Sequence, residues 1–364
     1  MNRAAFATLG LLLLAGCASV DPKPSFDSVA DIVTARSGVE AAWPRTATEE
    51  DAAEQAAERL LAGPLDDRAA AQIALLRNRE LLAEIEELGI ARADYAQATR
   101  IANPGLHAFR RTPNEGSGTN VEWTIVQDVL DVLVQPARKR LAAVELEAAK
   151  LRLGPTMLDL VAEARIAFFE LVAGEETSDR AVIVHDLTAA AAELARRQRD
   201  AGNLEVREVA LFEAADAQAL VDLTRAELDE GEARERLNVL LGLSGATTEW
   251  TAARHLPPLP AADPDPAGLE RRAIEQRLDL GAARFGVDLV GRALALKRGT
   301  RFFPVGIEVG LNQEKDTDGT RLRGPQLAIA LPIFDTGAAS IARLEAEQRR
   351  AQRQLEQLAI EIRS

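Results

Sequence analysis

Apolar and polar positions recur with two different periods along this chain, and the change of period divides it. From Arg138 to Leu243 apolar residues return at helical spacing in a background of Ala, Leu, Glu and Arg, which are strong helix formers. The pattern predicts one long helical hairpin, its descending arm from Arg138 to about Arg199 and its ascending arm from about Glu205 to Leu241. Asp200-Ala201-Gly202-Asn203-Leu204 makes the turn, with Gly202-Asn203 suited to a left-handed helix stop. At about 1.5 Å per residue the descending arm is roughly 90 Å long and needs a neighbour along its whole length. Gly154-Pro155 falls within it, and a kink or break is expected there because proline lacks the donor and clashes with the preceding turn.

Elsewhere the period is two. Leu106–Arg110 and Val121–Val134 read as extended, joined by the turn-rich stretch Thr112–Gly118. Val121-x-Trp123-x-Ile125 and Leu130-x-Val132-x-Val134 alternate on opposite parity, which predicts a bulge near Val126-Gln127. Two cleaner strands come later, Val305–Leu311 and Leu327–Ile333, around a polar loop Asn312–Gly324. Before the first strand pair, Glu49–Leu61 reads as a helix stopped by Gly63-Pro64. Asp66 or Asp67 then caps a long helix to about Ile101, with Ile73, Leu76, Leu81, Ile85 and Leu88 on one side. Before the second pair a helix runs to about Arg301, and after it Asp335-Thr336-Gly337 turns into another.

The chain therefore repeats. Ala273-Ile274, Arg277, Asp279 and Leu280 echo Ala74-Leu75, Asn78, Glu80 and Leu81, and Ile341, Leu344 and Glu345 echo Leu141, Val144 and Glu145. The order in each copy is helix, strand, strand, long helix, at an offset of about 200 residues. The organisation expected is a signal peptide at 1–16, an anchor, tether and short helix at 17–65, a first repeat at 66–243, a proline-rich linker at 244–268, and a second repeat at 269–364 truncated in its long helix. Val29, Ile32 and Val33 are candidates for docking the tether. Two copies supply four strands, whereas a membrane barrel needs at least about eight and lipid tolerates no open edges. The strands must then pair with those of other subunits.

The N-terminus carries an export signal. Met1-Asn2-Arg3 is basic, and Ala4–Leu14 is an apolar run too short to span a bilayer as a helix. Leu14-Ala15-Gly16-Cys17 resembles the lipobox of bacterial lipoproteins, which implies covalent lipid (diacylglycerol and an amide-linked chain such as palmitate) on Cys17. Two or three acyl chains anchor a protein stably. Ala18, where an aspartate would mean inner-membrane retention, favours the outer membrane. Cys17 is the sole cysteine, so neither an intrachain disulfide nor a thiolate metal site is expected. His107, His185 and His255 are scattered, and no metal or other cofactor is expected beyond the lipid. A net charge of −14 and a pI near 4.9 argue against nucleic acid as a partner. Beyond the signal, no run of 18 apolar residues marks a membrane helix. Glu84, Glu86 and Glu87 read as a solvated helix face, and no catalytic constellation is evident, so no enzyme is expected.

The paired openings at Ala74–Leu81 and Ala273–Leu280, the strand exit Pro332-Ile333-Phe334-Asp335-x-Gly337, the turn Ala201-Gly202-Asn203 and the helix end Leu237-Asn238-x-Leu240-Leu241-Gly242 together resemble the TolC family of outer-membrane efflux proteins, in its lipoprotein branch. The resemblance covers nearly everything from Asp66 to Ser364. It implies a mainly α fold with a small β part, and a homotrimer whose twelve strands form one outer-membrane β-barrel. It also implies a tube of long helical hairpins crossing the periplasm to an adaptor protein and an inner-membrane pump, acting as a passive duct. Val305, Ile307, Val309, Leu327, Ile329 and Leu331 would then line the barrel wall in outer-membrane lipid, and Arg199, Gly202, Asn203 and Glu205 would form the periplasmic tip that meets the adaptor. The alternative is a periplasmic coiled-coil adaptor or structural lipoprotein without channel activity, although adaptors flank their hairpins with β-rich domains in a different order. Arg79 and Leu278 stand where the family usually has proline, and Ser364 matches Ala164 of the first copy. Residues 1–364 alone are accordingly not expected to seal a tube, the functional chain is expected to continue for roughly 70 residues by matching the copies, and no gate residue can be named. Cys17→Ser is expected to abolish lipid processing; wild-type processing and membrane retention of that variant would remove the anchor.

Overall fold

The computed structural model describes residues 20–114, 118–253, 256–258, 261, 268–301, 306–330 and 333–363. Two compact units form from separated stretches of chain. A helical unit gathers Phe26–Glu86 and Leu153–Pro266; a sheet unit gathers Glu87–Arg152 and Ala267–Ser364 with the first residues of the chain.

In the helical unit, α1 (Lys23–Ser37) occupies the stretch expected to be a tether. Its stripe of Phe26, Val29 and Val33 is buried with Val39 and Trp43, whereas Ile32, off the stripe, is 41% exposed. Val29 and Val33 thus dock and Ile32 does not. The Phe26 and Trp43 rings lie 5.6 Å apart, and the Trp43 indole N–H donates to Glu86 Oε1 at 2.9 Å. Helix α2 (Ala47–Leu61) starts in a capping box between Thr46 and Glu49.

The long helix expected from Asp66 to Ile101 is two helices, α3 (Asp67–Arg77) and α4 (Arg79–Ala98). Asp66 caps the first, its carboxylate accepting from the Ala69 N–H at 2.7 Å. Asn78 makes the break: its backbone leaves the helical region (φ −59°, ψ 115°). Its Oδ1 accepts from the Leu81 N–H at 2.9 Å, and its Nδ2 donates to the Leu240 carbonyl at 3.0 Å. A second break recurs in the sheet unit, where Arg277 (φ −69°, ψ 123°) separates α7 (Leu269–Gln276) from α8 (Leu278–Gly299). There the device is ionic, with Arg277 Nη2 2.6 Å from Asp279 Oδ2. Partial burial opposes ionisation of Asp279, but hydrogen bonds from Arg277 and from the Leu280 N–H outweigh it and hold the carboxyl below its usual range. That contribution is present above the unfolded-state value and is lost as pH falls through the folded one. Arg79 and Leu278 are the first residues of α4 and α8, the position where proline is favoured but not required, since its N–H has no partner in the helix.

Helix α5 (Val129–Asp200) is longer than its expected span and passes through Gly154-Pro155 without a break. Proline inside a helix costs about 3 kcal/mol. Around it Leu153, Met157, Leu160 and Val161 are all buried, and burial of four such side chains is worth more, at roughly 1.5–3 kcal/mol each. The turn to α6 (Val206–Leu240) begins with the Gly202 N–H donating to Arg199 O and the Asn203 N–H donating to Gln198 O, a Schellman stop around Gly202 at φ +77°. Beyond α6 the chain clasps the loop before α3: the Leu65 N–H donates to Thr251 O at 2.8 Å and the Ala253 N–H to Leu65 O at 2.9 Å. The Trp250 indole donates to Asn238 Oδ1 at 2.9 Å beneath the Arg234 guanidinium, 4.6 Å from the ring centroid.

In the sheet unit, β1 (Gly105–Arg111), β2 (Asn120–Asp128), β3 (Gly306–Lys315) and β4 (Arg321–Ala330) form one antiparallel sheet in the order β1-β2-β3-β4. The second strand is shorter than expected and has no bulge at Val126-Gln127, its register running unbroken to Asp128 opposite Glu308. Leu130, Val132 and Val134 belong instead to α5, because Asp128 Oδ1 accepts from the Leu130 and Asp131 N–H groups and starts the helix. Most of the expected loop Asn312–Gly324 is strand, the turn being only Asp316–Thr320, where the Asp316 N–H donates to Thr320 O and Gly319 has φ +91°. Ile333 lies outside β4, while Val305 and Leu331 lie outside the described residues. Helix α9 (Ala338–Arg363) packs along α8, with Arg298 paired to Glu345.

Asn78→Ala removes bonds to both α4 and α6. It is expected to cost about 1–3 kcal/mol, read as a lower urea midpoint at unchanged slope; an unmoved midpoint would deny the break its anchoring role.

Candidate functional site

The register sorts the sheet into two chemically different faces. One carries Leu106 and Ala108 of β1, Val121, Trp123 and Ile125 of β2, Ile307, Val309 and Leu311 of β3, and Leu327 and Ile329 of β4. Leu106, Leu311 and Leu327 are each more than 60% exposed. The sequence pointed to Ile307, Val309, Leu327 and Ile329, and the sheet brings them together in two adjacent rows, Ile307 opposite Ile329 and Val309 opposite Leu327. It adds Leu106, Trp123 and Ile125 from the first repeat. The Val121-x-Trp123-x-Ile125 alternation carried the signal for the last two; Leu106 gave none, because β1 is exposed on both faces.

The other face is polar and cross-linked on β2 and β3, and carries Leu322, Gly324, Gln326, Ala328 and Ala330 on β4 and Phe109 on β1. Asn312 Nδ2 donates to Glu122 Oε1 at 2.6 Å and to Thr124 Oγ1 at 2.9 Å, and Asn120 Nδ2 donates to Glu314 Oε1 at 2.5 Å. Thr124 is 3% exposed. These bonds join β2 of one repeat to β3 of the other. Gly310 permits the close approach, since a Cβ there would lie 2.6 Å from Ile125 O and 2.8 Å from Val126 Cγ1. An apolar face backed by a hydrogen-bonded polar one is the distribution of a wall between hydrocarbon and water. The outer edges of β1 and β4 have no strand beside them among the described residues.

The second candidate site is the hairpin turn. Arg199, Gly202, Asn203 and Glu205 all stand at its exposed end with Val206, 74% exposed. The Arg199 guanidinium bonds Asp200 at 2.8 Å, and Glu205 caps α6, its N–H donating to Glu208 Oε2 at 3.0 Å. Just before the turn Arg196 Nε lies 3.2 Å from Glu213 Oε1, tying the arms together. Cys17 lies outside the described residues. Among the described residues no helix is long and apolar enough to cross a membrane, and no group of three His, Cys, Asp or Glu is arranged to hold a metal.

No family model matches the chain. Protein CyaE of Bordetella pertussis is 25% identical over 278 residues, covering 74% of this chain and 58% of CyaE, so the chain spans less than two thirds of that relative. The Campylobacter jejuni CmeC outer membrane channel superposes with a TM-score of 0.67 at 14% identity, over 88% of this chain and 71% of CmeC. The open-state MtrE outer membrane channel of Neisseria gonorrhoeae gives 0.60 at 21% identity, over 80% and 69%. A Pseudomonas aeruginosa membrane protein gives 0.63 at 20%, over 80% and 73%. The fold is therefore TolC-like, with long helices and a small antiparallel sheet.

Arginine at Ile307 or Ile329 is expected to cost roughly 2–4 kcal/mol if the position faces the bilayer midplane. The check is heat-stable oligomer on gels, and full tolerance of both substitutions would speak against a lipid-facing sheet.

Proposed function

We propose that this protein is a subunit of an outer-membrane efflux channel, a passive duct for solutes delivered by an inner-membrane pump. The observation that carries the reading is the open four-stranded sheet, apolar on one face and hydrogen-bonded on the other. Three copies supply twelve strands, enough to close a barrel in which every edge finds a partner. The hairpin also supports assembly, since Leu187, Leu194, Leu211, Phe212, Leu220 and Leu228 stand exposed on α5 and α6 and call for further helices to cover them. In this reading Cys17 holds the chain to the outer membrane by its lipid, the hairpin turn meets a periplasmic adaptor, and the energy of transport comes from the pump. The likeness to CmeC and MtrE, each described as an outer membrane channel, favours a channel over a purely structural lipoprotein.

The direct test is single-channel conductance of the protein purified from its native membrane into a planar bilayer. Discrete steps are expected; a trimer that never conducts would leave the structural role. Cysteines at Asn203 and Glu205 are expected to cross-link to a co-expressed adaptor, while a cysteine at Asp316, in the β3–β4 turn, is not. Equal cross-linking from all three positions would reject the assignment of the tip.

A further inference from the structure

The apolar face of the sheet ends in a row of cations. Arg110 of β1, Lys315 of β3 and Arg321 of β4 lie in one register row with Val121, and Arg323 stands in the next row with Trp123, Gln313 and Ala108. All four cationic residues are exposed, and none makes an ion pair among the described residues. Lys315 and Arg321 are directly opposite each other, an arrangement of like charges that destabilises a strand pair unless an anion sits between them. Such a concentration of positive charge on one end of one face is unexpected in a chain of net charge −14. Rows further along the same face, from Leu106, Ile125 and Leu311 to Ile307 and Ile329, are apolar apart from Gln127. Trp123 marks the boundary, the place an amphipathic ring takes at a membrane interface.

We propose that this row binds the phosphorylated headgroup of a net-anionic membrane lipid, whose acyl chains lie along the apolar rows below it. The proposal rests on the reading of that face as lipid-facing. Arg110, Lys315, Arg321 and Arg323 supply the charge, and guanidinium forks match phosphate oxygens in a bidentate way. Adjacent strands are about 4.8 Å apart, so Lys315 and Arg321 can grip one phosphate together. Continuity of the cations with the apolar rows selects a lipid over a free anion, because only a lipid satisfies both. The acidic balance of the whole chain disfavours a nucleic acid.

The test uses the full chain in neutral detergent, titrated with tail-labelled phosphatidic acid, tail-labelled phosphatidylcholine and inorganic phosphate. The wild type is expected to bind phosphatidic acid at least tenfold more tightly than phosphatidylcholine at low salt. The double variant Arg321→Glu, Arg323→Glu should bring that ratio close to one, and the milder Arg321→Gln, Arg323→Gln should lie between. No preference in the wild type, or an unchanged preference in both variants, would overturn the proposal. So would complete displacement of phosphatidic acid by millimolar inorganic phosphate, which would reassign the row to free anions. Insertion into phosphatidylcholine nanodiscs reads the lipid-facing assignment separately. Wild type and variants alike should insert; if none does, the membrane reading falls while the lipid ratio in detergent still decides this one.

Discussion

An open sheet cannot stand alone in lipid, and that constraint governs what the rest of this molecule must do. Hydrocarbon offers no hydrogen bond to a free N–H or carbonyl, and each unmet group there costs several kcal/mol. The exposed edge of β1 alone has seven residues, about half of whose backbone groups point away from β2. The total, on the order of tens of kcal/mol, exceeds the 5–15 kcal/mol that typically holds a domain folded. In the channel reading proposed above, the edges of β1 and β4 meet strands of other copies. The hydrogen-bonded ladder of Asn120, Glu122, Thr124, Asn312 and Glu314 joins the strands of the two repeats within one chain.

The two repeats reach similar geometry by different chemistry. In each, a short helix stops at a residue with extended ψ and a second helix starts immediately after it. In the first repeat Asn78 does this by hydrogen bonds and is itself tied to Leu240, so the break is also a tertiary joint. In the second repeat the Arg277–Asp279 pair makes the break within one stretch of chain, and Asp279 also accepts from the Leu280 N–H. The clasp of Leu65 with Thr251 and Ala253, and the stacking of Arg234 on Trp250, add a second joint in the helical unit.

Much of this was legible in the sequence, and the misses have physical causes. The hairpin arms, the Gly202 turn and the strands β3 and β4 announce themselves by period. Periodicity failed where one residue type serves two structures. Leu130, Val132 and Val134 alternate as a strand would, yet Leu130 and Val134 are also one helical turn apart, and the Asp128 cap decided for the helix. The Asn78 break was invisible because Asn is tolerated inside helices and its partner, Leu240, lies 162 residues away. Pro155 suggested a break that burial around Met157 overrides. The weak apolar patterning of Lys23–Ser37, broken up by Pro, Ser and Asp, hid a docked helix. At the candidate site, parity gave the apolar face of β3 and β4, but its continuation onto β1 and β2 needed the register.

The central claim is that the odd-numbered positions of β3 and β4 meet lipid and the even-numbered ones do not. The measurement that tests it most directly is a scan of single fluorophore-labelled cysteines in reconstituted protein with brominated lipids. The scan compares Val309, Leu311, Leu327 and Ile329 with Glu308, Asn312, Gln326 and Ala328. Strong quenching at the first four and weak quenching at the second four is the expected outcome. Quenching without parity, or on the even positions, would contradict the account.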